Sequence, residues 1–150
     1  MACTSLLEKG HTHIAGFFKS DDIQGHRRYQ GYAEALVRAG LSVEDDHVLW
    51  YTTENRDLLL RSSTRQILSG CTAAVCYNDE TAMEAIRLSG DAGVDWMSFD
   101  QSAYARLPHA PFLSLGNPKE ETGRLAAQKL LNMLHGYAET SAVLNWKGPL

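Results

Sequence analysis

Five short polar turns carry most of the side chains here that could do chemistry: Lys19-Ser20-Asp21-Asp22-Ile23-Gln24, Thr52-Thr53-Glu54-Asn55, Asn78-Asp79-Glu80, Asp100-Gln101-Ser102 and Asn117-Pro118-Lys119. A carboxylate accepts from neighbouring hydroxyls, a side-chain amide both donates and accepts, and a guanidinium forks onto two oxygens. Together such groups pair vicinal hydroxyls completely, which suits a polyol, because a hydroxyl buried without a partner is costly. Arg28 lies one helical turn beyond Gln24 and either forks onto such a ligand or closes a surface ion pair; Arg27 is read as solvated. Taken singly, each Asp, Asn, Ser or Thr of these turns is explained as well by helix capping.

Other chemistry finds less support. His11-Thr12-His13 reads as a pair of strand-edge imidazoles, with no nearby Cys or carboxylate to complete a metal site. Gly25 stands alone after the first apolar run, so neither a dinucleotide fingerprint nor a phosphate loop is present, and no Gly-x-Ser-x-Gly marks a nucleophile. Cys3, Cys71 and Cys76 are odd in number and lack zinc spacing, so they read as reduced, small hydrophobes. Trp50, Trp96 and Trp146 read as core or interface residues.

The elements that must position the turns alternate between short apolar runs and amphipathic helices. The runs are Ile14 to Phe18, Val48 to Tyr51, Ala73 to Tyr77, Val94 to Phe99 and Phe112 to Leu115. The first helix between them spans about Gln24 to Ala39, stops at Gly40, and repeats Tyr29, Tyr32, Ala33, Leu36 and Val37 on one face. A second carries Leu60, Ile67 and Leu68 and stops at Gly70; a third, capped by Asn78-Asp79, turns Ala82, Ala85 and Ile86 inward before Gly90. The last helix has Asn117 as N-cap, Pro118 at its first position, Glu120 behind the cap, Gly136 past its end, and a buried stripe of Ala126, Ala127, Leu130, Leu131 and Leu134. Continuous rather than alternating apolar strands separated by helices predict an α/β fold, a doubly wound parallel sheet with helices on both faces. In such a sheet the turns after the strands form the ligand crevice. Leu6-Leu7-Glu8-Lys9-Gly10 reads as the last turn of a further helix.

Arg28-Tyr29-Gln30-Gly31-Tyr32 with Ala35-Leu36, Cys76-Tyr77-Asn78-Asp79-Glu80-Thr81-Ala82, Ser98-Phe99-Asp100, and Pro118 with Gly123-Arg124-Leu125-Ala126-Ala127 resemble, in order, the motifs of the lactose/galactose-repressor family. Phe18 to Gly25 and Tyr51-Thr52-Thr53-Glu54 are similar more particularly to its arabinose-responsive repressors. The resemblance implies a periplasmic-binding-protein-like lobe in which Arg28, Asp100 and Asn78 hold sugar hydroxyls. It implies neighbouring contacts at Lys19, Asp22, Gln24, Glu54, Asn117 and Lys119, a homodimer through the helix from Asp79 to Ser89, and no cofactor. DNA would be bound only by a winged-helix head outside this sequence. In that reading about 11–116 form most of one lobe of a sugar sensor, and 118–135 form the helix that crosses to the other. One departure is the abrupt Gly90-Asp91-Ala92-Gly93, where the family has a longer connection with a proline.

Composition agrees with a regulator that does not touch nucleic acid itself. At 44% hydrophobic and 21% charged, 150 residues can bury a core, and 14 basic against 18 acidic residues give a net charge of −4 without a basic cluster. No apolar run approaches the length of a membrane span and no leader is recognisable, so a cytoplasmic place is expected and no membrane partner. A competing reading is a phospho-acceptor receiver with magnesium at Asp21, Asp22 and Asp79 and with Lys119 as its cation. An enzyme of the same fold lacks a nucleophile–base pair.

Overall fold

A computed structural model describes residues 1–90 and 93–137. The chain divides into two compact units, Met1–Leu115 and Gly116–Leu150. The first is built on five strands: β1 (Ile14–Lys19), β2 (Val48–Tyr51), β3 (Ala73–Cys76), β4 (Asp95–Phe99) and β5 (Leu113–Leu115). All pair in parallel in the order β2-β1-β3-β4-β5. The doubly wound sheet is therefore as expected, and its order places a switch point between β1 and β3, where loops diverge to opposite faces.

The apolar runs are continuous because both faces are covered. Ile14 to Phe18 and all of β3 are buried. Phe17 and Phe18, adjacent in β1, point to opposite sides. Phe17 joins Leu60, Ala82, Ala85, Trp96 and Phe112 in the core under α3 (Arg56–Ile67) and α4 (Asp79–Ser89), whereas Phe18 joins Leu6, Tyr32, Leu36 and Met97 under α1 (Ala2–Glu8) and α2 (Ile23–Arg38). Trp50 packs on Tyr29 with ring centroids 4.8 Å apart, and Trp96 lies 6.1 Å from Phe17; Trp146 lies outside the described residues. The cysteines are free and buried, and burial pushes the Cys3 and Cys71 thiols up to about 11.

Several local expectations shift. Val37 is 65% exposed, because the stripe of α2 that meets the sheet runs through Tyr32, Ala35 and Leu36. The N-terminal helix ends where its last turn was expected, after seven residues, and Leu6 anchors it with no exposure. His11, Thr12 and His13 precede β1 instead of lying on it; His11 bonds the Thr72 hydroxyl at 2.9 Å and the Asp95 carboxylate at 3.3 Å. Asp91 and Ala92 of the abrupt connection lie outside the described residues. Gly25 is required by close approach, since a Cβ there would sit 1.8 Å from the Lys19 carbonyl oxygen. Every buried side-chain nitrogen or oxygen among the described residues has a partner.

In the second unit, α5 (Lys119–Leu134) starts one residue later than expected: Pro118 occupies the N-cap, and no side chain caps the helix. Its expected stripe is not buried, with Leu130 58%, Leu131 51% and Leu134 73% exposed. Amphipathic spacing says that a face is made to be covered, not what covers it.

Candidate functional site

The site assembles where the first, third and fourth strands end. After β1, Asp22 caps α2 by accepting the Gly25 N–H at 2.7 Å, because a short carboxylate reaches the unpaired amides of a first turn. Its other oxygen accepts the Tyr77 hydroxyl at 2.6 Å, and Lys19 Nζ lies 3.3 Å away. Desolvation raises the Asp22 pKa, but the hydrogen bonds from Tyr77, Gly25 and Lys19 outweigh it and leave the group below the ordinary carboxylate range. The same burial and the Asp22 partner push Tyr77 up to about 12. Asp21 accepts the Thr53 N–H at 2.9 Å and its hydroxyl at 2.7 Å, joining the turns after β1 and β2; these bonds, the backbone one foremost, lower its pKa to about 2.

One helical turn into α2, Arg28 points back to the crevice. Nη2 donates to Asp100 Oδ1 at 2.8 Å and Nη1 to the Tyr77 carbonyl, while the guanidinium carbon lies 4.7 Å from the centroids of both the Tyr77 and Phe99 rings. The guanidinium is thus clamped between two aromatic faces, with its side chain only 11% exposed. Arg28 thus closes an ion pair with Asp100, and that pair lies at the strand ends, where a fork onto a ligand would also have to reach. Asp100 follows β4 directly, and its φ of 98° is a backbone state costing a non-glycine residue about 1–3 kcal/mol, a kind of strain that clusters at functional sites.

The structure brings Lys19, Asp22, Arg28, Asn78 and Asp100 to the ends of β1, β3 and β4. Asn78 accepts the Thr81 N–H at 2.9 Å as the cap of α4, so its carbonyl is occupied. Gln24 is exposed in the first turn of α2 and Glu54 is exposed in the turn between β2 and α3, and Asn117 and Lys119 belong to the second unit. Tyr77 and Phe99 were missed as site residues; the available signal was an aromatic residue immediately before Asn78 and before Asp100. Asp79 is 1% exposed and accepts from Ser98, Ser102 and Ser114. That overturns the receiver reading, since a carboxylate so enclosed cannot take a phosphoryl group. Among the described residues no cluster of three or more His, Cys, Asp or Glu could hold a metal ion, and no helix is long and apolar enough to cross a membrane.

The arrangement is a polar, aromatic-backed wall suited to hydroxyl groups, and comparison with known proteins bears on it. The arabinose metabolism transcriptional repressor of Geobacillus stearothermophilus is 35% identical over 140 residues, covering 86% of this chain and 38% of the repressor. The chain therefore spans about two fifths of that relative's length. A LacI-family regulatory protein from Chloroflexus aggregans superposes with a TM-score of 0.81 at 25% identity, over 92% of this chain and 53% of the other. The transcriptional regulator CelR in complex with cellobiose does so with 0.79 at 27% identity, over 92% and 45%. Residues 4–146 match the model of one family across both units of the chain, and with the parallel sheet and its relatives among LacI-type repressors this chain belongs to the periplasmic binding protein-like domain family.

Proposed function

We propose that this chain is the sugar-sensing part of a transcriptional repressor, that its effector is a small sugar, L-arabinose, and that it performs no chemistry on it. The observation that carries the reading is the Arg28 guanidinium held between Tyr77 and Phe99 and paired with Asp100 at the strand ends. Arg28 donates to hydroxyl oxygens, Asp100 accepts hydroxyl protons, and the two rings supply an apolar backing for the C–H face of the sugar. Asn78 offers its amide N–H groups, and Lys19 and Asp22 flank the ring; Gln24 and Glu54 are outer contacts.

The arabinose repressor of Geobacillus stearothermophilus supports the choice of sugar, and the cellobiose complex of CelR supports the class. In this reading the full-length protein supplies a second lobe that closes over the sugar and a head that binds DNA. Differential contacts in the closed state bias the protein away from its operator. A homodimer through α4 transmits the bias to both heads. Calorimetry of the full-length protein against a panel of pentoses and hexoses tests the reading. L-arabinose is expected to give the strongest heat; no heat from any sugar refutes it.

A further inference from the structure

We infer that Asp79 is a positioning residue: its buried carboxylate is a bracket that fixes the loop after β4 and so aims Asp100 at Arg28. Asp79 opens α4 and sits at the meeting point of three segments. Oδ1 accepts the Ser98 hydroxyl of β4 at 2.5 Å and the Ser114 hydroxyl of β5, and Oδ2 accepts the Ser102 backbone N–H at 2.6 Å. Ser114 extends the reach of the bracket by accepting the Gln101 N–H at 3.0 Å, and the Asp100 N–H donates to the Leu115 carbonyl at 2.9 Å. Three consecutive amides are thereby held, two of them by Asp79 directly or through Ser114.

The amides so held belong to an unfavourable stretch of chain. Asp100 and Gln101 have φ of 98° and 43°, conformations that residues with a Cβ adopt rarely and keep only where the surroundings over-determine them. A buried carboxylate with three donors is such a surrounding, because an acceptor enclosed at 1% exposure has no water to exchange with. Asn78 and Asp79 thus divide the work: Asn78 caps α4 and faces the crevice, while Asp79 turns beneath the sheet ends and fixes the neighbouring loop. No ligand contact is assigned to Asp79.

Variants of the full-length protein test this with two readouts, only the second of which rests on the sugar reading. In amide hydrogen exchange, Asp79→Ala is expected to speed exchange at Gln101 and Ser102 about tenfold while Phe17 and Val75 of the central strands keep their protection. Ser114→Ala, a milder change should Asp79→Ala not fold, is expected to do so at Gln101. Asp79→Asn keeps the shape, and the two serine hydroxyls can rotate to accept from its amide, so it is expected to restore the wild-type pattern. In calorimetry with L-arabinose, Asp79→Ala and Ser114→Ala are expected to raise Kd about tenfold, but to add nothing in an Asp100→Ala background, because the bracket acts through Asp100. Unchanged exchange at Gln101 and Ser102 overturns the inference, as does full additivity with Asp100→Ala or an Asp79→Asn variant as damaged as Asp79→Ala. If the wild-type protein takes up no sugar, the functional reading fails while hydrogen exchange still decides the bracket.

Discussion

Replacing Arg28 by alanine tests the site at its centre. The change removes a charge-assisted hydrogen bond to Asp100 at 2.8 Å, a second to the Tyr77 carbonyl, and two ring contacts at 4.7 Å. In the free protein the ion pair is one third open to solvent on the Asp100 side, 33% exposed, so screening leaves it worth no more than about 1 kcal/mol. The two ring contacts add about 0.5 kcal/mol each, for a total near 2 kcal/mol of folding stability. The effect on the ligand is larger. Two guanidinium hydrogen bonds to sugar hydroxyls at about 1.5 kcal/mol each give about 3 kcal/mol, which is a rise in Kd of about 100-fold. Arg28→Lys keeps the charge but loses the fork, and should recover only part of the affinity. Isothermal titration with L-arabinose, run beside urea unfolding, separates the two effects. A folded Arg28→Ala protein whose Kd stays within about threefold of wild type would refute the assignment of Arg28 to the ligand.

Four further outcomes follow from the structure. Gly25→Ala should destabilise the fold by about 1–3 kcal/mol in urea, because its Cβ would press on the backbone of Lys19; an unchanged midpoint would show that α2 can shift freely. Leu6→Ala should cost about 2–4 kcal/mol, since Leu6 has no exposure, and a loss below about 1 kcal/mol would mean that α1 is not part of the core. Asp21 and Asp22 have folded pKa values below their unfolded values near 4, so the stability they contribute is present above about pH 4 and lost as pH falls through the folded values, which for Asp21 means toward about 2. Thr53→Val should raise the Asp21 pKa part of the way, because the larger contribution, the Thr53 N–H, remains; a carboxyl carbon titration that shows no change would refute that attribution.

Much of this protein is local and was legible residue by residue. The cap at Asn78 follows from a short acceptor three residues ahead of an unpaired amide, and it occurs, whereas the cap expected at Asn117 does not. Continuous apolar runs between amphipathic helices identify a parallel sheet covered on both faces, because only such strands have no solvent side to alternate toward. The polar character of the turns, and the choice of Arg28 and Asp100 among them, came from motif order and from the chemistry of hydroxyl recognition.

What tertiary structure decided is which of those side chains meet, and at what depth. Arg28 and Asp100 stand 72 positions apart, and nothing local requires their contact or the two rings that enclose it. Asn78 and Asp79 are neighbours with similar side chains, yet one caps a helix in the crevice and the other is sealed among three serines, because successive residues at a helix start point in different directions relative to β4 and β5. Val37 and the leucines of α5 show the same limit in apolar form. Periodicity determines that a helix has a face to bury, but burial is a property of whatever packs against it, and that information lies elsewhere in the fold.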